Sequence, residues 1–445
     1  MTARRASALV AAIAVAGAAA LAAVPLVLAQ SAGAATATCT APAWAEGTTY
    51  TAGTQVAYAG HTYTARVTHT AYAGAGWTPS ATPTLWSDGG ACTGSPSGTG
   101  STSPTSSPIP TGTPTPTATT TPTTPPDGGC ATKARPTGKV LQGYWENWDG
   151  ASNGVHPGLG WIPITDTRIA QHGYNVVNLA FPVIRSDGTV LWEDGMDAGV
   201  KVPTPAEMCA AKANGLTLLL SIGGATAGID LSSSTVADRF VSTIVPILKA
   251  NHFDGIDIDI ETGLSGSGSI GTLSASQANL ERIIDGVLAQ MPAGFGLTMA
   301  PETAYVTGGS VTYGSIWGAY LPIIKKYADD GRLWWLNMQY YNGSMYGCAG
   351  DSYGAGTVEG FAAQTRCLAN GLTIQGTTVT VPYDKQVPGL PAQAGAGGGY
   401  LAPSLVGQSW NALGGQLKGL MTWSLNWDGS KGWTFGDNVK ALEGR

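Results

Sequence analysis

Phe253-Asp254-Gly255-Ile256-Asp257-Ile258-Asp259-Ile260-Glu261 is the stretch that decides the reading of this chain. Strand side chains alternate faces with period two. Asp257, Asp259 and Glu261 therefore share one face, and Ile256, Ile258 and Ile260 share the other. Asp254 falls on the isoleucine parity and reads as a cap at the start of the strand. Three isoleucines demand an apolar neighbour, which excludes a solvated edge strand. A calcium loop spreads its oxygen ligands over a turn with glycine inside it, whereas this stretch is patterned as strand. Acids about 7 Å apart on one face repel and push at least one pKa upward. That arrangement suits a protonated acid working beside an ionised partner, so the stretch reads as a catalytic centre.

Outward from it, residues 133–445 alternate short apolar runs with helical patterns. The runs are 139–145, 175–181, 217–224, 253–261, 296–302, 333–341, 377–382 and 420–424. Thr204-Pro205 reads as a helix N-cap followed by proline at the first helical position. Eight strand–helix repeats predict an α/β domain of the (β/α)8 barrel type, with its site at the C-terminal ends of the strands. Glu261 then stands at the mouth, with Asp259 and Asp257 successively deeper. Glycosidases of the ordinary retaining kind need a second carboxylate about 5–5.5 Å from the first. Glu302 after the fifth run and Asp384 after the seventh are the candidates, and neither is compelling. Tyr341 faces inward if the parity of the sixth run is right, and Tyr340 is the alternative. The five histidines have no metal spacing, so no metal or cofactor is expected. Gly266-x-Gly268-x-x-Gly271 formally matches a dinucleotide fingerprint, but no helix pattern starts there.

The N-terminal part has a different composition. Residues 1–35 carry Arg4-Arg5, a long apolar run and small residues at 32–35, the pattern of a cleaved signal peptide. Secretion, an oxidising compartment and no membrane association after cleavage follow as expectations. Residues 36–93 form a small aromatic-rich segment of short strands, too small to bury all its rings. Residues 94–130 are almost entirely Ser, Thr, Pro and Gly, which cannot build a core and read as a linker. Residues 131–445 are the catalytic domain. Among six cysteines, Cys39–Cys92 and Cys348–Cys367 pair by proximity, leaving Cys130 with Cys209 by elimination. A net charge of −6 gives no reason to expect nucleic acid as a partner. A monomer is expected.

Two resemblances sharpen this. Asp254-x-x-Asp257-x-Asp259-x-Glu261 resembles the signature of family 18 glycoside hydrolases, as found in secreted bacterial chitinases. Ser221-x-Gly223-Gly224, Met338-Gln339-Tyr340-Tyr341-Asn342 and Trp423 are similar to that family's other motifs. The resemblance implies substrate-assisted hydrolysis, in which the sugar's own acetamido group replaces a protein nucleophile. It implies Glu261 as proton donor and later base, Asp259 as the orienting group for the acetamido N–H, and Asp257 as sharer of a proton with Asp259. Tyr341 would donate to the acetamido carbonyl, and Trp423 would floor the cleaved sugar. Gln339, Met338, Asn342, Tyr144 and Glu302 are the further expected substrate contacts. The segment 36–93 resembles chitin- and cellulose-binding modules of family 5/12, through Ala43-Trp44, Tyr50-Thr51-Ala52-Gly53, Gly76-Trp77-Thr78-Pro79 and Leu85-Trp86. This implies ligand-facing Tyr72 and Trp77, with Trp86 in the core. The two together imply an endo-acting chitinase on chitin and chito-oligosaccharides. An endo-β-N-acetylglucosaminidase acting on glycoproteins and a non-catalytic chitin-binding barrel are the alternatives.

Overall fold

The computed structural model describes residues 37–45, 48–66, 69–71, 78–80, 82, 85–93, 130–150, 156, 159–225 and 228–445. The proposed signal peptide, nearly all of the linker, and Tyr72 and Trp77 lie outside the described residues.

The small module is all-β. Strands Ala37–Thr38, Gln55–Tyr58, His61–Ala65 and Trp86–Thr93 form one sheet, and Thr48–Tyr50 pairs antiparallel with His69–Ala71. Ala59 and Gly60 connect the central hairpin, both at positive φ, as a two-residue turn requires. Tyr50, Val56, Tyr63 and Trp86 form its core, and the Cys39–Cys92 disulfide closes it.

The larger domain is a barrel of eight parallel strands. They are β1 (Val140–Glu146), β2 (Val176–Ala180), β3 (Thr217–Gly223), β4 (Gly255–Asp259), β5 (Gly296–Met299), β6 (Trp335–Leu336), β7 (Gly389–Pro391) and β8 (Gly419–Trp423). Their order in the sheet is β6-β5-β4-β3-β2-β1-β8-β7. Parallel bridges Leu336↔Gln386 and Gln339↔Gly389 close the ring. Thr204 and Glu207 form the capping box that starts the helix Pro205–Ala213. That helix carries Cys209, bonded to Cys130, while Cys348 bonds to Cys367. Among the described residues no helix is long and apolar enough to cross a membrane.

Ile256, Ile258 and Ile260 are buried in the apolar layer between strands and helices. A second apolar cluster, with Tyr144, Trp335 and Met421, fills the barrel interior. Asp254 sits at the start of β4, fully buried, paired with Lys212 Nζ at 2.7 Å and accepting from the Leu218 and Lys133 N–H groups. It anchors the strand at the end remote from the mouth.

The seventh strand differs from expectation. Thr377–Val379 does not join the barrel. It pairs antiparallel with Leu372–Ile374 across Gln375-Gly376, both at positive φ. Its alternating Thr/Val pattern is that of a half-exposed hairpin strand, and barrel strands are buried on both faces. The real β7 is three residues long and ends in proline. Asp384 consequently precedes β7. It lies at the N-terminal end of the barrel, 73% exposed, with its carbonyl held by Arg135. That removes it from the candidate nucleophiles. The whole interval between Pro391 and Gly419 is described. It holds one helix, Pro403–Ala412.

Candidate active site

The acid face of β4 points into the mouth. Asp257 is fully buried and accepts four hydrogen bonds: Tyr144 Oη at 2.6 Å and Ser221 Oγ at 2.8 Å on one oxygen, Thr298 Oγ1 at 2.5 Å and Asn337 Nδ2 at 3.1 Å on the other. The parallel register explains the set. Ser221, Asp257 and Thr298 are direct neighbours across β3, β4 and β5. Asp259 and Glu261 are joined by one amide: Gln339 Nε2 donates to Asp259 Oδ1 at 2.9 Å and to Glu261 Oε1 at 3.0 Å.

Two glycines let β3 approach this closely. Gly223 has φ +109°, and a Cβ there would come within 2.2 Å of the Asp259 carbonyl oxygen. The Gly224 N–H donates to the same oxygen at 2.7 Å. Tyr320 clamps the next residue, donating to the Ile260 carbonyl and accepting from its N–H. Tyr305 donates to the Glu261 carbonyl at 2.7 Å. The backbone that aims Glu261 is thus held from both sides.

The electrostatics follow from burial. Asp257 is raised by burial, against the four donors that favour its charged form. Asp259 is raised well above the carboxylate range, first by burial and then by the charges of Glu261 and Asp257. With four donors on Asp257 and one on Asp259, the negative charge of that pair belongs on Asp257 and the proton on Asp259. Burial, then the charge of Glu302, push Glu261 up to about 7. Burial also raises Glu302.

Tyr341 faces the acids. Burial first, and then Asp259, Glu261, Glu302 and Asp257, raise its phenol well above the usual range, so it keeps its proton. Tyr340 points the other way, into the helix layer, with its hydroxyl 3.0 Å from Thr365 Oγ1. The same alternation corrects the expectation for Met338, which packs in the outer apolar layer and has no place in the mouth. Tyr144 is 1% exposed, and its hydroxyl is spent on Asp257, so it supports an acid where a sugar contact was expected. Gln339 likewise bridges two acids. Asn342 is exposed at φ +62°, with its side-chain oxygen accepting from the Gly398 N–H. Glu302 is half-buried beside Gln339 at the end of β5.

Trp423, half-buried at the end of β8, presents its ring among Phe181 at 6.0 Å, Tyr144 at 5.6 Å and Trp148 at 6.3 Å between centroids. Phe181, Trp148, Thr298 and Asn337 were not foreseen. Asn337 was readable from the inward parity of Gln339 and Tyr341. Thr298 needed the cross-strand register, which the sequence does not display. Among the described residues no cluster of His, Cys, Asp and Glu is arranged to hold a metal ion.

Residues 43–87 match the carbohydrate-binding module family 5/12, and residues 140–293 match the glycosyl hydrolases family 18. The chain is 80% identical to Endochitinase 4 of Metarhizium robertsii over 311 residues, covering 70% of this chain and 90% of that protein. It is 81% identical to Endochitinase 37 of Trichoderma harzianum over 309 residues, 69% of this chain and 92% of that one. These two are fungal, whereas the sequence resemblance had been drawn to bacterial enzymes. Chitinase Chi52 of the bacterium Paenibacillus xylanexedens is 35% identical over 324 residues, covering 66% of this chain and 59% of that protein. Among solved structures, a family GH18 chitinase from Chromobacterium violaceum superposes with a TM-score of 0.60 at 28% identity, covering 91% of this chain and all of that one.

Proposed function

The chain belongs to the glycosyl hydrolases of family 18, and from that premise we infer that it is an endo-acting chitinase cleaving the β-1,4 GlcNAc linkages of chitin. The observation that carries the reading is the acid series on one strand face: Asp257 and Asp259 buried, and Glu261 half-buried at the mouth, joined to Asp259 through the Gln339 amide. The 80% identity to an endochitinase over nine-tenths of its length supports it.

The reaction runs in two steps. The carbonyl oxygen of the 2-acetamido group attacks C1 as the bond from C1 to the leaving sugar breaks. Glu261 gives its proton to the departing oxygen. Asp259 receives the acetamido N–H on a carboxyl oxygen, and the negative charge that the Asp257–Asp259 pair carries on Asp257 stabilises the positive oxazolinium. The Tyr341 hydroxyl donates to the acetamido oxygen. Water then attacks C1, giving its proton to the Glu261 carboxylate, and the acetamido group re-forms with the β configuration retained. Trp423 and Phe181 floor the sugar ring. In this assignment Tyr144, Ser221, Thr298, Asn337 and Gln339 hold acids, while Asn342 and Glu302 flank the sugar.

A general acid must be protonated to work, and Glu261 keeps its proton up to about 7. The kcat/KM for a soluble chito-oligosaccharide is therefore expected to fall as pH rises through about 7, and to be insensitive to pH just above an ordinary glutamate's value. An alkaline limb near the unperturbed glutamate value in a pH–rate profile would contradict the assignment.

The proposed order along the chain is a signal peptide at 1–35, a chitin-binding module at 36–93, a linker at 94–130 and the catalytic domain at 131–445. Secretion is proposed with it, supported by the basic-then-apolar leader and three disulfides. One experiment tests the whole reading. The full chain should release soluble GlcNAc oligomers from colloidal chitin and nothing from a high-mannose glycoprotein. A chain lacking residues 1–129 should cleave soluble oligomers normally but lose activity on insoluble chitin, because tethering helps where substrate does not diffuse. Release of glycans from the glycoprotein would overturn the substrate, and an equal loss on both chitin substrates would place the module in the catalytic site.

A further inference from the structure

Next to Trp423 in the chain, Ser424 belongs to a polar cluster that the reaction does not use. Glu146 is the last residue of β1, and its side chain is fully buried. Its Oε2 lies 2.6 Å from His156 Nε2, and its Oε1 accepts from Ser424 Oγ at 2.5 Å. Its N–H donates to Asn426 Oδ1 at 2.9 Å. Ser424 Oγ also accepts from the Trp427 N–H, and the Trp427 ring meets the His156 ring edge-on at 5.7 Å. His156 is itself fully buried, against Gly150, where any side chain would collide with the imidazole.

Burying a carboxyl group beside an imidazole gains little stability, because desolvation offsets the attraction, and breaking the pair leaves an uncompensated polar group. A cluster of this kind needs another reason to exist. Its position supplies one. Ser424 directly follows Trp423, and Trp148 stands two residues after Glu146; the two tryptophan rings lie 6.3 Å apart between centroids, tilted by 37°. The Glu146–Ser424 bond therefore ties together the two chain segments that carry these rings, and His156 fixes the carboxyl that makes the tie. None of the three residues hydrogen-bonds to Asp257, Asp259 or Glu261.

We propose that His156 is a positioning residue for sugar binding, acting through Glu146 and Ser424 to hold Trp423 and Trp148 as one aromatic wall of the cleft. The proposal rests on Trp423 being a sugar platform, as the family reading has it. A reacting group displaced by about 1 Å costs up to about 10²-fold. His156→Gln is therefore expected to lower kcat/KM on chitotetraose about 10-fold, mainly through KM.

The deciding measurement is a cycle with Trp423→Ala. If His156 acts through Trp423, His156→Gln changes kcat/KM by less than about twofold in the Trp423→Ala background. The same 10-fold loss in both backgrounds would overturn the proposal, since a generally loosened barrel loses activity whether or not the platform is present. Ser424→Ala removes the Glu146–Ser424 bond together with the cap on the Trp427 N–H, leaves the Glu146–His156 pair in place, and serves as the second variant should His156→Gln fail to fold. It is expected to show the same KM effect and the same loss of effect beside Trp423→Ala. If Trp423→Ala alone leaves KM unchanged, the platform assignment fails, and that outcome is distinct from additivity.

Discussion

Glu261→Gln is expected to abolish turnover of chito-oligosaccharides, by at least about 10²–10⁴-fold, while leaving their binding largely intact. The substitution keeps the shape of the side chain and its contact with Gln339, and removes only the proton that the leaving sugar needs. Its neighbours are arranged to keep that proton in place. Burial and the charge of Glu302 raise Glu261 to about 7, and the Tyr305 hydroxyl holds the backbone from which it projects. No other acid has the same combination. Asp257 has all its acceptor positions filled. Asp259 lies one residue pair deeper and is buried. Initial rates with a soluble oligomer, together with binding of the same oligomer by calorimetry, separate the two effects. Near-normal rates in the variant would move the acid to Glu302, and lost binding with lost rate would mean that the substitution disturbed the cleft itself.

How much of this was readable beforehand depends on the length and parity of each strand. The acids of β4 were legible because three isoleucines fix the opposite face, so one assignment sets six side chains. Tyr341 was legible for the same reason, two steps from Gln339 on the same face. Met338 belongs to the resemblance motif but not to the inward face: motifs list consecutive residues, whereas strands expose alternate ones, and the parity of Gln339 and Tyr341 excludes it. β7 was illegible because three residues ending in proline carry no period, and a longer Thr/Val run nearby offered a better pattern. Asp384 went to the wrong end of the barrel as a direct consequence. The donors on Asp257 come from three strands, β1, β3 and β5, and from the residue just after β6, separated by between 36 and 113 residues from it in the chain. Their convergence is a product of register, which local pattern does not encode.

That correction to Asp384 strengthens the last expectation: fully deacetylated chitosan is inert to this enzyme, and the first product from chitin oligomers is the β-anomer. Ordinary retaining hydrolysis needs an ionised carboxylate as nucleophile about 5–5.5 Å from the acid. Asp384 is at the opposite end of the barrel. Glu302 is the remaining candidate, but burial raises it toward the neutral form, and its charge already acts on Glu261 from the adjacent strand end. A group placed beside the acid attacks from the acid's side of the sugar, whereas displacement at C1 requires approach from the opposite face. Asp259 projects from the same strand as Glu261 and is excluded by the same argument. Inversion by water would also need a base across the sugar, about 6.5–9.5 Å from the acid, and Asp259, on the same strand face as Glu261, does not approach from that side. The nucleophile must then arrive with the substrate, and the acetamido carbonyl, steered by Asp259 and Tyr341, is the group within reach of C1. Removing the acetyl group removes the nucleophile while leaving every protein group intact, so the loss should approach the full catalytic effect. Time-resolved NMR on chitotetraose, set beside the rate on fully deacetylated chitosan, decides it: α-anomer appearing first, or chitosan cleaved at a rate comparable to chitin oligomers, would return the search to a protein nucleophile.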